Sequence, residues 1–296
     1  MAEKSWSGKT QGGTFGQKAI YYYFRYGSLR AIYGLLIFII PFYMIFSRKG
    51  YRSSVWYAKN ILHRKSWKIP FFVFHNFYAF GKVFLDRFAI FGNPNRKFRF
   101  TIENHHLFKE LLQQQDGFII ASAHVGNYEI LSYAFEQFEK KICPILYGAE
   151  AEVFQKLRTQ FFQKHNLEPI ILKEDGTHIF EIHNALKTGN IVSMPADRTM
   201  GNTKTFDMEF LGKTAPFPAG VFHLSATFNL PIVTMFVVKE NYRHYKIFIE
   251  KIIKPEKEKK EDNVQLLCNE YDKSLEKIVR QYPEQWYNFY QFWEKE

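Results

Sequence analysis

An α/β fold, with a mostly parallel central sheet flanked by helices and an N-terminal hydrophobic helical segment, follows from three features of the sequence. From residue 117 onward, short apolar runs alternate with amphipathic stretches, the pattern of strands and helices interleaved in a layered fold. The apolar runs are short and continuous, as buried strands are. Before residue 100 the chain is instead dense in aromatic residues, and Ala31–Ser47 (AIYGLLIFIIPFYMIFS) runs 17 residues without a charge.

Composition narrows the classes. The 296 residues include 40 Lys+Arg against 29 Asp+Glu, a net charge of +11, with 46% hydrophobic and 19% aromatic content. That apolar content is too high for a disordered chain. Two cysteines, Cys143 and Cys268, exclude a disulfide scaffold or a thiolate zinc site. A mean hydropathy of −0.29 excludes a polytopic membrane protein. Surplus positive charge and aromatic surface suit a nucleic acid, an anionic membrane or an acidic protein partner.

Residues 1–17 are polar and Gly-rich and are expected to be a flexible lead-in rather than a signal peptide. Residues 18–100 form an aromatic, hydrophobic helical region. At about 1.5 Å per residue, Ala31–Ser47 spans roughly 26 Å, just short of a ~30 Å hydrocarbon core. Pro41 should kink it. A span, an in-plane helix and a buried core helix all remain open. Flanking Arg30, Arg48, Lys49 and Arg52, and Tyr residues at 21–23, 33 and 43, favour an interfacial site. Phe71–Phe91 reads as one or two helices, either membrane-facing with Lys82, Asp86 and Arg87 on the polar side or an aromatic core.

Residues 101–296 form the α/β core, continuous with those helices. Strands are expected at Phe118–Ala123, Ile142–Leu146, Pro169–Leu172, Ile191–Pro195, around Phe206–Phe210, at Pro231–Val238 and at Tyr245–Ile253. Helices are expected at Asn127–Phe138, Val153–His165, His178–Lys187, Pro218–Phe228 and Asn263–Arg280.

GxSxG, GxxxxGK[ST], HExxH and GxGxxG motifs are all absent, which argues against serine hydrolases, P-loop NTPases, zincins and Rossmann dehydrogenases. His105–His106 has no further ligand at metal spacing, so no metal site is expected. A His followed five residues later by an acid occurs at His105–Glu110 and at His124–Glu129. The first pair lies in a helix-like stretch with no strand before it. Five helical residues turn about 500°, so its side chains diverge by some 140°. His124 instead follows a buried strand and precedes Gly126 and Asn127, a good N-cap. That places it at the carboxyl edge of the sheet, where α/β folds bind ligands. The loop can fold the imidazole onto Glu129 and leave the other nitrogen for a substrate hydroxyl, the geometry of a general base. The alternative is a His capping a buried loop.

The segment Ser122-Ala123-His124-Val125-Gly126-Asn127-Tyr128-Glu129 resembles the H-x4-D/E block of lipid acyltransferases. It is closest to the form found in the bacterial lipid A late acyltransferase family of lauroyl and myristoyl transferases. Gly189–Val192 leading into Ala196-Asp197-Arg198 resembles that family's second block. Phe210–Ala215 followed by Pro218-Ala219-Gly220 resembles its third, with Asn229–Val233 as the strand after it. Tyr282–Tyr287 with Trp293 resembles its carboxyl-terminal P-E-Q-W element, and Trp6–Gly13 the lead-in of Bacteroidetes-type members. Departures occur at Lys164–His165, where many members carry an Arg (Arg158 is near), at Arg198 and at Tyr287–Tyr290.

The resemblance implies acyl transfer from a thioester, on acyl carrier protein or CoA, to a hydroxyl of a lipid A-type glycolipid. His124 would be the base and Glu129 its partner, with no resident cofactor and no covalent enzyme intermediate. Backbone N–H groups at Gly126 and Asn127 would hold the oxyanion. Asp197 and Arg198, just past a strand, would reach the same cleft, with Arg198 either binding a phosphate or carboxylate or serving a structural ion pair. Pro218 and Gly220 would shape a helix start, and Trp286 and Trp293 would be packing or interface aromatics. Expected partners are the thioester donor, a lipid acceptor and an anionic membrane, with the chain acting as a monomer on the cytoplasmic face of the inner membrane. Another amphiphile (a lysophospholipid, an amino-acid lipid or a pigment) is the alternative acceptor. A non-catalytic membrane-surface protein is the alternative of another class. Nucleic acid is disfavoured, because the aromatic residues cluster in the apolar N-terminal stretches instead of interleaving with Lys and Arg on strands.

Overall fold

The computed structural model describes residues 23, 27–92, 97–131, 139–147, 162, 167–173, 175–198, 204–256 and 259–293. The elements in chain order are α1 (Leu29–Phe46), α2 (Arg48–Asn60), α3 (Ile69–Gly92), β1 (Arg99–Glu103), α4 (His105–Leu112), β2 (Phe118–Ser122), β3 (Ile142–Tyr147) and β4 (Ile170–Leu172). Next come α5 (His178–Lys187), β5 (Ile191–Pro195), β6 (Thr205–Phe210), β7 (Lys213–Pro218), α6 (Gly220–Phe228), β8 (Ile232–Asn241), β9 (His244–Ile253) and α7 (Lys260–Gln281). Apart from Phe162, the helix expected at Val153–His165 lies outside the described residues, as do the lead-in at 1–17 and Arg158, Lys164 and His165.

Seven strands form one sheet in the order β1-β9-β8-β2-β5-β3-β4. Pairing is parallel except at β8–β9, which form an antiparallel hairpin. Strand alternation divides the core into two layers. On one face Ile119, Ala121, Cys143 and Val192 pack with Phe222 of α6 and Leu267, Tyr271 and Leu275 of α7. On the other, Phe118, Ile120, Ile191 and Val233 pack with Val83 and Phe88 of α3 and Phe108 and Leu111 of α4. Continuous apolar strands follow from burial on both faces.

Three elements were not expected from the sequence. β1 precedes α4, so the His105 stretch does follow a strand. It is an edge strand of only five residues, paired with β9. α2 is polar and aromatic, with little apolar signal. β7 contains Pro216 and Pro218 yet pairs with β6, because both strands of this separate ribbon are edges. Leu211 and Gly212 turn the ribbon at φ 53° and 81°, the two positive angles of a type I′ hairpin.

α1 begins where Ser28 caps it and carries Pro41 inside without ending. Its 18 residues are long and apolar enough to cross a membrane by length and composition. One stripe (Tyr33, Leu36, Ile40) packs into the protein, while Phe38 is 71% and Phe46 81% exposed. Phe71–Phe91 falls in one helix, α3, antiparallel to α1. There Asp86, fully buried, accepts from Lys239 Nζ at 2.6 Å and from the hydroxyls of Tyr33 and Tyr245. This knot joins α1, α3, β8 and β9. It fixes the rotation of α3 and so sets where the next residue, Arg87, points.

Candidate active site

β2 and β5 are parallel neighbours whose last residues, Ser122 and Pro195, are paired in register. The ladder continues one step past the strands, with Ala196 N–H donating to the Ser122 carbonyl at 2.9 Å. Residues two beyond each strand therefore meet. They are His124 and Asp197. The His124 Nδ1 lies 2.7 Å from Asp197 Oδ1, and the His124 backbone N–H donates to Oδ2 at 3.0 Å. Trp286 Nε1–H donates to the same Oδ2 at 3.1 Å. A carboxylate only accepts, so Nδ1 carries the hydrogen and Nε2 keeps its lone pair. The His124 side chain is 19% exposed and that of Asp197 1%.

Electrostatics favour a neutral imidazole with a charged partner. Burial, then the Arg198 guanidinium, pull His124 below its ordinary value, against the opposing pull of Asp197. Burial pushes the Asp197 carboxyl up, but His124, Arg198 and the Trp286 hydrogen bond together outweigh it and hold it below the usual range. His124 is thus neutral and able to accept a proton at neutral pH.

A carboxyl-terminal strap braces the loop. Val125 bridges Trp286, Gly126 N–H donates to the Gln285 carbonyl at 2.8 Å, and Tyr287 N–H donates to the His124 carbonyl at 3.0 Å. Gly126 has φ 56°, and a Cβ there would stand 1.9 Å from the Val237 carbonyl oxygen, so only glycine fits. The Asn127 N–H donates to that same carbonyl at 2.8 Å. Arg198 donates to the Tyr287 carbonyl and lies 5.4 Å over the Tyr290 ring.

Residues 70–295 match the family model for bacterial lipid A biosynthesis acyltransferases. The chain belongs to that family. A search of curated proteins returns no match. In this member of the family, several sequence expectations need correction. No hydrogen bond or ion pair joins His124 to Glu129 among the described residues: Glu129 pairs with Arg87, their side chains 17% and 16% exposed. The imidazole's acid is Asp197, 73 residues away in sequence. Asn127 caps no helix with its side chain and is fully buried. It accepts from Arg87 Nε at 3.0 Å and donates to the Val83 carbonyl and Tyr245 hydroxyl, each at 3.3 Å. A 3₁₀ turn, Tyr128–Ile130, replaces the first turn of the expected helix, and 132–138 lie outside the described residues. The N–H groups of Gly126 and Asn127, expected to hold an oxyanion, are both spent on carbonyls. Trp286 does more than pack, since it bonds the dyad's acid. Arg87, read in the sequence only as part of the polar side of Phe71–Phe91, joins the site; its signal is a charge beside Asp86 inside an aromatic helix.

Next to the dyad lies an apolar cavity of about 30 Å³, room for a single water, lined among others by Ser122, Tyr128, Glu129, Leu131, Phe162 and Pro195. The Tyr128 ring stands edge-on to His124 at 5.1 Å. Cys143 and Cys268 are buried, their thiols pushed up by burial to about 11 and about 12, so neither is a reactive thiolate.

Proposed function

We propose that this acyltransferase moves a fatty acyl chain from a thioester, on acyl carrier protein or CoA, to a hydroxyl of a lipid A-type glycolipid. The observation that carries the reading is the His124–Asp197 dyad, whose Nε2 has no hydrogen-bond partner among the described residues, beside an apolar cavity at the carboxyl edge of the sheet. In the proposed step the acceptor oxygen attacks the thioester carbonyl carbon while Nε2 takes its proton. The carbonyl electron pair moves onto oxygen. Collapse of that intermediate breaks the C–S bond, and the imidazolium returns the proton to the departing thiolate. The products are an ester and a thiol. Asp197 holds the tautomer and balances the imidazolium, the role an acid plays behind a catalytic His. Glu129 remains in the proposed site as a residue of the cavity wall that fixes Arg87. The first methylenes of the acyl chain enter the cavity as Leu131 and Phe162 move aside.

The exposed apolar face of α1, with Trp67 and Phe71 also exposed, supports contact with a membrane. Arg48, Lys49, Arg52, Lys65 and Lys68 lie near it in sequence and suit anionic headgroups. The cytoplasmic face of the inner membrane, where thioester donors reside, is the proposed location. The experiment is to incubate the purified full chain with labelled acyl-acyl carrier protein or acyl-CoA and bacterial lipid extracts. Mass spectrometry then identifies the acylated species. A labelled lipid A precursor supports the reading, and a labelled lysophospholipid or amino-acid lipid moves the acceptor. Wild-type protein that labels nothing, with either donor, sinks it.

A further inference from the structure

The tetrahedral intermediate needs hydrogen-bond donors aimed at the developing oxyanion, and removing one such donor typically costs about 10²–10³ in kcat. Three N–H groups of the His124 loop are already spent. Gly126 N–H, Asn127 N–H and His124 N–H are committed to the Gln285 carbonyl, the Val237 carbonyl and Asp197. A side chain in the cavity wall offers a donor that is not spent. Ser122 ends β2 on the face that carries Phe118 and Ile120, two residues before His124. It is 2% exposed and lines the apolar cavity. Its Oγ is buried with no hydrogen-bond partner among the described residues. The carbonyl of the same residue is fully used, by Ala196 N–H and the Tyr271 hydroxyl, so the free hydroxyl stands on an immobile backbone. An unpaired buried hydroxyl costs stability and has no structural reason to persist at a strand end packed for apolar contact.

We infer that the Ser122 hydroxyl donates its hydrogen bond to the thioester carbonyl oxygen, weakly in the ground state and strongly once that oxygen carries charge. This rests on the acyl-transfer reading above. In the step already balanced there, the electron pair displaced onto the carbonyl oxygen is what Ser122 O–H stabilises. Ser122 itself neither gains nor loses a proton.

The test compares Ser122→Ala, Ser122→Thr and His124→Ala in the purified full chain. Free thiol released from lauroyl-, myristoyl- or palmitoyl-acyl carrier protein is followed in the presence of a lipid A precursor. Thermal melting is recorded in parallel. Ser122→Ala should lower kcat about 10²-fold with little change in KM, while its melting temperature stays level or rises. Ser122→Thr, which keeps a hydroxyl, should recover most of the loss. A structural hydroxyl would behave oppositely, with a lowered melting temperature and intact turnover. Full turnover in Ser122→Ala alongside a dead His124→Ala overturns the inference alone. Full turnover in His124→Ala overturns the acyl-transfer reading beneath it.

Discussion

Asparagine at position 197 separates the dyad seen in the structure from the one implied by sequence spacing. The change is isosteric, so packing around a 1%-exposed side chain is kept. Chemistry is not kept, because the carboxylate offers two accepting oxygens and the amide one. Oδ2 receives two donors, His124 N–H at 3.0 Å and Trp286 Nε1–H at 3.1 Å, and Oδ1 receives His124 Nδ1–H at 2.7 Å. If the amide oxygen keeps the first two, its NH2 faces Nδ1. Nδ1 must then accept, and the ring proton moves to Nε2, the nitrogen meant to take the acceptor's proton. The opposite rotamer leaves two N–H donors facing an NH2 group, which is costlier still. A general base is worth about 10²–10⁴ in rate, and a tautomer locked the wrong way forfeits the upper end of that range. Asp197→Asn should therefore lose roughly 10⁴-fold in kcat, about 5.5 kcal/mol of barrier at 1.36 kcal/mol per tenfold. The assay is initial-rate transfer from labelled acyl-acyl carrier protein, with circular dichroism to show retained fold. Near-wild-type transfer in Asp197→Asn, with transfer abolished in Glu129→Gln, would refute the argument and restore the nearer acid.

The remaining predictions concern charge, backbone and surface. His124 is held below its ordinary 6.5 and works as a base when neutral, so kcat/KM should be level above that pH and fall only as pH drops through the lowered value. Arg198→Ala removes a positive neighbour and should move that acid limb upward, as a pH–rate profile would show; an unmoved limb would mean that Arg198 does not act on the imidazole. Gly126→Ala drives a Cβ to 1.9 Å from the Val237 carbonyl oxygen at φ 56°. It should cost about 3 kcal/mol or more, seen as a melting point lower by several degrees or as insoluble protein. A double change, Phe38→Asp with Phe46→Asp, alters two exposed positions of α1 and should weaken flotation with anionic vesicles while leaving the melting temperature within a degree or two. Unchanged flotation would place the membrane contact elsewhere. Deleting residues 1–50 is a poorer test, since it strips Tyr33 from the buried Asp86 and uncovers α3.

The strands of the central sheet were legible because burial on both faces leaves a continuous apolar run that few other structures produce. β5 and α5 fall at the positions expected, and β8 begins within a residue of its expected start. β1 and β7 were not, since an edge strand needs neither a long run nor freedom from proline. The candidate base was legible for a local reason: small residues, then His, then Gly at a strand end. Its partner was not, because sequence spacing ranks Glu129 over Asp197, and only strand order reverses that ranking. Its position after a strand does put Asp197 at the same sheet edge as His124. Nothing local says that β5 lies beside β2 and ends level with it. Trp286 and Arg87 were hidden similarly, each donating across more than forty positions.

The paired ends of β2 and β5 also set what this scaffold tolerates. The loops between Asn127 and β5 can be lengthened or shortened without moving either residue, because His124 is held by β2 and the Val125–Asn127 brace and Asp197 by β5. A single insertion or deletion within Phe118–Ser122 or Ile191–Pro195 is different. It turns every later side chain of that strand to the opposite face and carries the base or its acid into the far layer of the core. A redesign for new acceptors therefore has wide latitude in loop length and almost none in the phase of two five-residue strands.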